Sequence, residues 1–210
     1  MQLLDLLEEE AIARGHLQPG AAVDAATAFR LVRDMPYRRA SDRRPETIIH
    51  EWRGTCSGKH YLLKQLFSEL GLKARVMACT SEREITAAML PPPLHETLAG
   101  ARGSYVDVHH YIILDLPAGE MIVDATWPLE TREAGLPVNE RFVLGEDHQI
   151  AVEPMRTWAV PDCQNPQDFK EELLAAHFTP EQLDVRELYI QAISLILEQY
   201  RNSDVVAFSD

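Results

Sequence analysis

The spacing of apolar residues along this chain changes from a helical period to an alternating one and back again. Residues 1–36 carry apolar positions at helical spacing, which predicts two helices divided by the turn-rich stretch "GHLQPGA". Near the other end, Asn165-Pro166 and Thr179-Pro180 are typical helix starts, and they predict C-terminal helices over about residues 166–202. Both ends of the chain are therefore expected to be helical.

The middle of the chain predicts one long helix followed by strands. The helix runs from Thr55 or Cys56 to Leu70, and Gly71 ends it in a left-handed cap. The alternating "KARVMACT" predicts a strand, and "SYVDVHHYIILDL" and "EMIVDATW", joined by "PAG", predict a hairpin. A second hairpin is predicted from "RFVL" and "QIAVE". Residues 81–103 predict a long surface excursion, of the kind that either borders a substrate site or simply varies.

This order of elements predicts an α+β fold in a single domain over residues 1–210. Its core is expected at about residues 45–155, with N-terminal helices at 1–36 and C-terminal helices at about 166–202.

Composition and charge narrow the classes of function. The 46% of hydrophobic residues is ample for a packed core. The chain has 33 acidic residues against 20 lysines and arginines, a net charge of −13, so no broad basic face is expected for nucleic acid. The one basic cluster, "YRRASDRRPE" at 37–46, is interpreted as a solvated loop or a local partner of acidic helices, rather than a phosphate-binding patch.

The cellular location is predicted from the lack of sequence signals for secretion, membrane insertion or disulfide bonding. The N-terminus turns acidic without a basic leader, and no apolar run approaches the length of a bilayer span. Three widely spaced cysteines form no CxxC pair, which favours neither a disulfide framework nor a zinc knuckle. We therefore predict a cytoplasmic protein with no membrane partner, in which Cys79 and Cys163 are structural.

Cys56 is the residue whose position calls for a chemical explanation. It stands at the first turn of the predicted helix, where backbone N–H groups and the helix dipole stabilise a thiolate. Free cysteine is also a common core residue, and this one is in line with Leu63 and Leu70, so its partners decide the interpretation.

The predicted hairpin supplies those partners. If "LPAG" is the loop, Asp115 lies opposite Glu120, and His109 becomes the diagonal neighbour of Asp124 on the same face. A shift of one residue would give Asp124 to His110 instead, so the pairing alone prefers His109 and keeps both histidines as candidates.

These residues predict a catalytic triad. Cys56 would be the nucleophile, His109 its general base and later the acid, and Asp124 the group that orients the imidazole. The oxyanion would be met by the Cys56 backbone N–H and a second donor, for which the indole N–H of Trp52 is a candidate.

Two stretches resemble the core of the transglutaminase-like superfamily. In "RGTCSGKHYLLKQLFSELGLKARVMAC", a Gly-x-Cys opens a helix that ends in Leu-Gly-(Ile/Leu)-x-x-Arg before a strand. In "HHYIILDLPAGEMIVDATW", a histidine is followed two residues later by an aromatic, then by a turn glycine and a strand ending Val-Asp-x-Thr. The aromatic Tyr111 matches the family pattern with His109 rather than His110. The resemblance covers about residues 45–127.

The resemblance implies a papain-like core, in which the Cys-bearing helix packs on an antiparallel sheet, and a Cys-His-Asp triad that acts on amide or other acyl groups through a thioester. The superfamily includes protein cross-linkers, peptidases, peptide N-glycanases and the related arylamine N-acetyltransferases. The chain departs from the common pattern at Ala125, where proline is frequent, and at Tyr111, where tryptophan is frequent. Both changes leave the catalytic groups in place, and both could alter the cleft.

The expected function is therefore that of a cysteine acyltransferase or hydrolase acting on a peptide, amide or other acyl substrate, with no metal or organic cofactor. Three alternatives stay open. One is a CoA-dependent enzyme like the arylamine N-acetyltransferases, and another is an inactive binding or scaffold module of the same fold. The third is a zinc site built from Cys56 and His60 with His109 or His110.

Overall fold

The structure is a computed structural model that describes residues 2–85, 95–100 and 103–206. Much of the predicted excursion at 81–103 lies outside the described residues. The elements in chain order are α1 (Leu3–Ala13), α2 (Ala25–Arg33), α3 (Pro45–Glu51), α4 (Cys56–Glu69), β1 (Lys73–Glu84), α5 (His95–Gly100), β2 (Ser104–Leu116), β3 (Gly119–Val123), a 3₁₀ helix (Leu129–Ala134), β4 (Arg156–Ala159), α6 (Pro166–His177) and α7 (Pro180–Val206).

Helices combine with a four-stranded antiparallel sheet of order β3-β2-β1-β4, so the predicted mixed α and β architecture is confirmed at that level. The chain divides into two compact units. Unit 1 is Met1–Met77 with His110–Ala151, and unit 2 is Ala78–His109 with Val152–Asp210. The single domain over residues 1–210 stays a prediction. No helix in the described part of the chain is long and apolar enough to cross a membrane.

The core of unit 1 is built around α4. Helices α1, α2 and α3 all contact it. Leu63, Leu66 and Phe67 of α4 are fully buried in the same apolar cluster as Ile112 and Leu114 of β2. The face of β2 that carries Ile112 and Leu114 therefore packs on the core, since alternate residues of a strand share one face. Gly71 has φ +78 after the last turn of α4, which confirms the predicted left-handed cap.

The β2–β3 register is the predicted one. Asp115 pairs with Glu120 and Leu116 with Gly119 across a tight turn. Arg75 of β1 donates hydrogen bonds to the carboxylates of both Asp115 and Glu120, so one guanidinium supports the predicted pairing.

The predicted second hairpin is wrong. Residues 135–155 form no strand, and Asp147 and His148 of this irregular segment lie beside β3. The Ile122 N–H donates to the Asp147 carboxylate, and the Ile122 carbonyl accepts from the His148 N–H, so no second ladder forms there. The aromatic ring of Phe142 instead packs against Phe29 and Phe67.

The helices of unit 2 begin at the predicted caps. The Asn165 side chain accepts the Gln167 N–H, and Thr179 and Gln182 exchange reciprocal side-chain to backbone hydrogen bonds, as in a capping box. The short strand β4 and the extension of β1 to Glu84 were not predicted.

A buried ion cluster ties α6 and α7 to β2 within unit 2. The Asp107 carboxylate, 5% exposed, accepts from Arg186 Nε at 2.7 Å and lies 3.1 Å from Lys170 Nζ. Burial by itself would raise the pKa of Asp107, but the positive charges of Lys170 and Arg186 hold it well below its usual range. Asp107 is therefore the anion that lets two cations lie buried.

We expect Asp107→Asn to lower the free energy of unfolding by about 3–5 kcal/mol, because it removes the buried anion that Lys170 and Arg186 share. The pKa of Asp107 is lower in the folded than in the unfolded chain. The stability from its ionisation is therefore complete above the ordinary carboxyl pKa of about 3.9 and is lost as the pH falls below it.

Chemical denaturation at pH 7 and at acidic pH measures both effects. Asp115→Asn is the matched control, because Asp115 lies on the same strand with two cationic partners but at the surface. Equal losses in the two variants would contradict the assignment.

Candidate active site

Cys56 is the first residue of α4 and is 2% exposed. The helix cap Thr55 has extended backbone and makes no side-chain capping bond, so the first turn is not closed by its own cap. The helix dipole at this end favours a negative charge on the sulfur. The predicted helix start at Cys56 is therefore confirmed, and the role of Cys56 as a nucleophile stays a prediction.

The turn that leads into α4 is strained. Trp52 ends α3 in the left-handed region, with φ 50, although it is not a glycine. The following Arg53 and Gly54 N–H groups donate to the carbonyls of Ile48 and Pro36, which fixes the path of the chain to Thr55. Strained backbone of this kind collects at functional sites, where the surrounding structure holds it.

The indole ring of Trp52 makes a stacking contact and a cation–π contact. It stacks on His16 at 5.2 Å, and the Arg14 guanidinium lies 5.5 Å from the ring centroid. Its part as an oxyanion donor stays a prediction.

His60 connects the Cys56 turn to the segment that carries Asp124. Its Nε2 accepts the Ala125 backbone N–H at 2.8 Å, which fixes the proton on Nδ1. The Nδ1–H then donates to the Cys56 carbonyl at 2.7 Å. His60 is completely buried and lies one turn after Cys56 on α4. One neutral imidazole therefore links the backbones of two predicted catalytic segments.

This tautomer also bears on two other roles for His60, as an ion-pair partner of Asp124 and as a zinc ligand. Its Nε2 lies 3.6 Å from Asp124 Oδ1, but a neutral ring with a lone pair at Nε2 forms no ion pair there. Because both ring nitrogens serve backbone groups, His60 has no lone pair to offer zinc. Among the described residues, no group of three or more His, Cys, Asp or Glu is arranged to hold a metal ion.

Asp124 follows β3 and is 2% exposed. Its Oδ1 accepts the Thr126 N–H at 2.9 Å, and its Oδ2 accepts the Ala151 N–H at 2.8 Å. Two backbone donors stabilise a carboxylate and fix its orientation, as the acid of a triad requires.

The backbone of Asp124 is held as well, by residues that the sequence patterns did not single out. Asn139 Nδ2 donates to the Asp124 carbonyl at 2.9 Å, and the Asp124 N–H donates to His148 Nδ1 at 3.3 Å. Burial lowers the pKa of His148, which keeps its ring neutral and able to accept that bond. Asn139 and His148 both lie in the irregular segment that was predicted as a hairpin, so their contacts with the Asp124 backbone could not be predicted from the sequence.

Lys59 is the second group that sequence analysis missed. It is completely buried, and its ammonium donates to the carbonyls of Arg33 at 2.7 Å and Thr126 at 3.0 Å. It therefore fixes the segment after Asp124 to the end of α2. A lysine between Gly58 and His60 carries no sequence signal for burial, because lysine is normally exposed.

The two candidate histidines have different surroundings. His110 belongs to unit 1, is completely buried, and its Nδ1 lies 3.0 Å from Ser57 Oγ in the first turn of α4. Its ring also packs against Tyr61 at 5.2 Å. His109, 2% exposed, is the last residue of the 78–109 segment of unit 2. The structure thus brings Cys56 and Asp124 into one unit, while the assignment of the imidazole stays a prediction.

Several buried polar atoms near these segments find no hydrogen-bond partner within the described residues. They are Tyr61 Oη, Thr126 Oγ1 and Trp127 Nε1. Buried donors are normally satisfied, and exceptions call for an explanation such as a site that binds something else. All three belong to α4 or to the residues directly after Asp124.

The other two cysteines differ from each other. Cys79 is completely buried, as a structural residue would be, whereas Cys163 is an exposed free thiol. Experiments on Cys56 therefore need a Cys163→Ser background.

Comparison with known proteins gives no identification. No protein-family model matches the chain, and no curated protein matches it.

We expect His60→Phe to lower the free energy of unfolding by about 1–3 kcal/mol, because it leaves the buried Ala125 N–H without its acceptor. Urea denaturation measures the change. His50→Phe is the matched control, since the His50 side chain is 57% exposed and contacts Glu10 at the surface. Similar losses in both variants would show that His60 does not form the link.

Proposed function

We propose that the protein is a cysteine-dependent acyltransferase or amide hydrolase with a papain-like, transglutaminase-like core. The observation that carries this proposal is the His60 link, which holds the Cys56 turn to the Asp124 segment by hydrogen bonds of 2.7 and 2.8 Å. A cysteine used only for packing has no need of such a connection to an acid that two backbone N–H groups orient.

The general base in this proposal is His109. The β2–β3 register supports the choice, because Asp115 opposite Glu120 is the pairing from which His109 was predicted as the neighbour of Asp124. The family pattern supports it too, through Tyr111 two residues later. His110 is the competing candidate, and its contact with Ser57 is explained equally well by packing of β2 on α4.

The reaction would proceed in two steps. His109 removes the Cys56 proton, the sulfur attacks the acyl carbon, and the leaving group departs with a proton from His109. Water or an amine then attacks the thioester, and the Cys56 thiol is restored. The backbone N–H of Cys56 is the proposed first donor to the oxyanion.

Acylation by p-nitrophenyl acetate tests this mechanism. The Cys56 sulfur takes the acetyl group, the ester C–O bond breaks, and nitrophenolate leaves. We expect intact-mass analysis of the Cys163→Ser protein to show one acetyl group on Cys56, and added amine or water to remove it. His109→Ala should slow acylation about 10²–10⁴-fold, the usual contribution of a general base.

The matched control for this experiment is His110→Ala, which removes the neighbouring imidazole. It should leave most of the acylation rate in place while weakening the contact with Ser57. A loss confined to His110→Ala would move the base to His110. Absence of acylation at Cys56 in the folded parent would contradict the proposal.

A further inference from the structure

The Ser57 side chain lies between the proposed nucleophile and the histidine that follows the proposed base. Its Oγ is 4.0 Å from Cys56 Sγ and 3.0 Å from His110 Nδ1. All three residues belong to unit 1 and are at most 2% exposed. One buried hydroxyl therefore connects the thiol to an imidazole.

The position of this hydroxyl is fixed from two sides. Ser57 is the second residue of α4, in a turn that packs closely on α3, because a methyl group added at Gly58 would lie 2.7 Å from the Ile48 side chain. On the other side, the His110 ring packs against Tyr61 with ring centroids 5.2 Å apart. Tyr61 follows Ser57 by four residues on α4, so both side chains lie on one face of the helix and contact the same ring. The hydroxyl consequently stays near the sulfur.

The chemistry of the three groups gives this hydroxyl a direction. A serine hydroxyl has one proton to donate and two lone pairs with which to accept. A thiolate can only accept, so an ionised Cys56 takes the Ser57 proton as its hydrogen bond. The Ser57 Oγ then accepts from His110 when that ring carries its proton on Nδ1. The ionised sulfur therefore has a donor in the adjacent residue.

We propose that Ser57 is a positioning residue of the active site, whose hydroxyl donates a hydrogen bond to the ionised sulfur of Cys56 and is itself held by His110. This inference rests on the proposed function, because it concerns the thiolate that attacks the acyl carbon. It adds a second stabilising group to the helix dipole within unit 1. His110 then orients a donor, and His109 remains the proposed base.

Alkylation by iodoacetamide against pH tests the donor. The Cys56 sulfur forms a bond to the methylene carbon, the C–I bond breaks, and iodide leaves. In the Cys163→Ser background, Ser57→Ala should move the midpoint of the rate profile upward by about one pH unit, a roughly tenfold change in the ionisation constant. This is the low end for a hydrogen bond to a charged group, as suits a contact of 4.0 Å. The plateau rate at high pH should stay the same or rise up to about threefold, since a less stabilised thiolate is more nucleophilic.

Two further variants separate the donor from a structural role. Ser57→Thr keeps the hydroxyl and should recover most of the shift, and Ser57→Ala alone decides where Ser57→Thr does not fold. Ser68→Ala removes an exposed serine from the same helix and should leave the profile unchanged. A midpoint in Ser57→Ala equal to that of the parent, or a shift that Ser57→Thr retains in full or Ser68→Ala reproduces, overturns the inference.

His109→Ala in the same series keeps the inference apart from the proposed function. If only His109→Ala raises the midpoint, the proposed function stands and the donor is overturned. If only Ser57→Ala raises it, the donor stands and the base is wrong. If Cys56 reacts at no pH, the proposed function fails, and the ultraviolet absorbance of the thiolate, taken as the difference from Cys56→Ala, judges the donor. A higher midpoint of that absorbance in Ser57→Ala supports the donor, and an equal midpoint overturns it.

Discussion

The bridge made by the His60 imidazole is the interaction on which the candidate site depends. Its two nitrogens join the carbonyl of Cys56 to the N–H of Ala125, two groups that belong to a helix start and a strand end. The Ala125 N–H follows the end of β3 and donates to the imidazole, whereas the Cys56 carbonyl lies in the first turn of α4, where the His60 backbone N–H is its ordinary helical donor. A single neutral side chain contacts both and joins the thiol turn to the segment that carries the acid.

Three further side chains hold the backbone of the segment that carries Asp124. Lys59 holds the Thr126 carbonyl, and the irregular segment after the 3₁₀ helix holds Asp124 through Asn139 and His148. Side chains that serve only a packed core would not need so many bonds to one short stretch of backbone. Tyr61 Oη, Thr126 Oγ1 and Trp127 Nε1 are buried nearby without a hydrogen-bond partner among the described residues. Unsatisfied buried polar atoms fit the same interpretation, since a ligand-binding site can supply the missing partners.

Local sequence patterns predicted the parts of the fold that local physics decides. The Cys56 helix, its Gly71 cap, the capping box at Thr179 and the Asp115–Glu120 register each follow from a few neighbouring residues. The hairpin predicted from "RFVL" and "QIAVE" did not form, because contacts with residues far away in the sequence decided the structure of this segment. The Asp147 side chain and the His148 N–H took the backbone groups of Ile122 that a ladder would have used.

The candidate site was likewise predictable only in part. Cys56 and Asp124 could be found from spacing and from the hairpin arithmetic. The burial of Lys59 and the bridging role of His60 could not, because both depend on where α4 meets the end of β3. The sequence showed that His60 follows Cys56 by four residues, but this spacing is equally compatible with a metal site. The hydrogen bonds of the two ring nitrogens decide between these interpretations.

The central claim is that Cys56 is a thiolate stabilised by His109, and its titration tests that claim most directly. The rate of alkylation of Cys56 by iodoacetamide would be measured against pH in the Cys163→Ser protein, with and without His109→Ala. An ordinary thiol titrates near pH 8.5, so the account predicts an apparent pKa well below that value, which rises when His109 is lost. A Cys56 that stays unreactive at every pH, or whose titration is the same without His109, would contradict it.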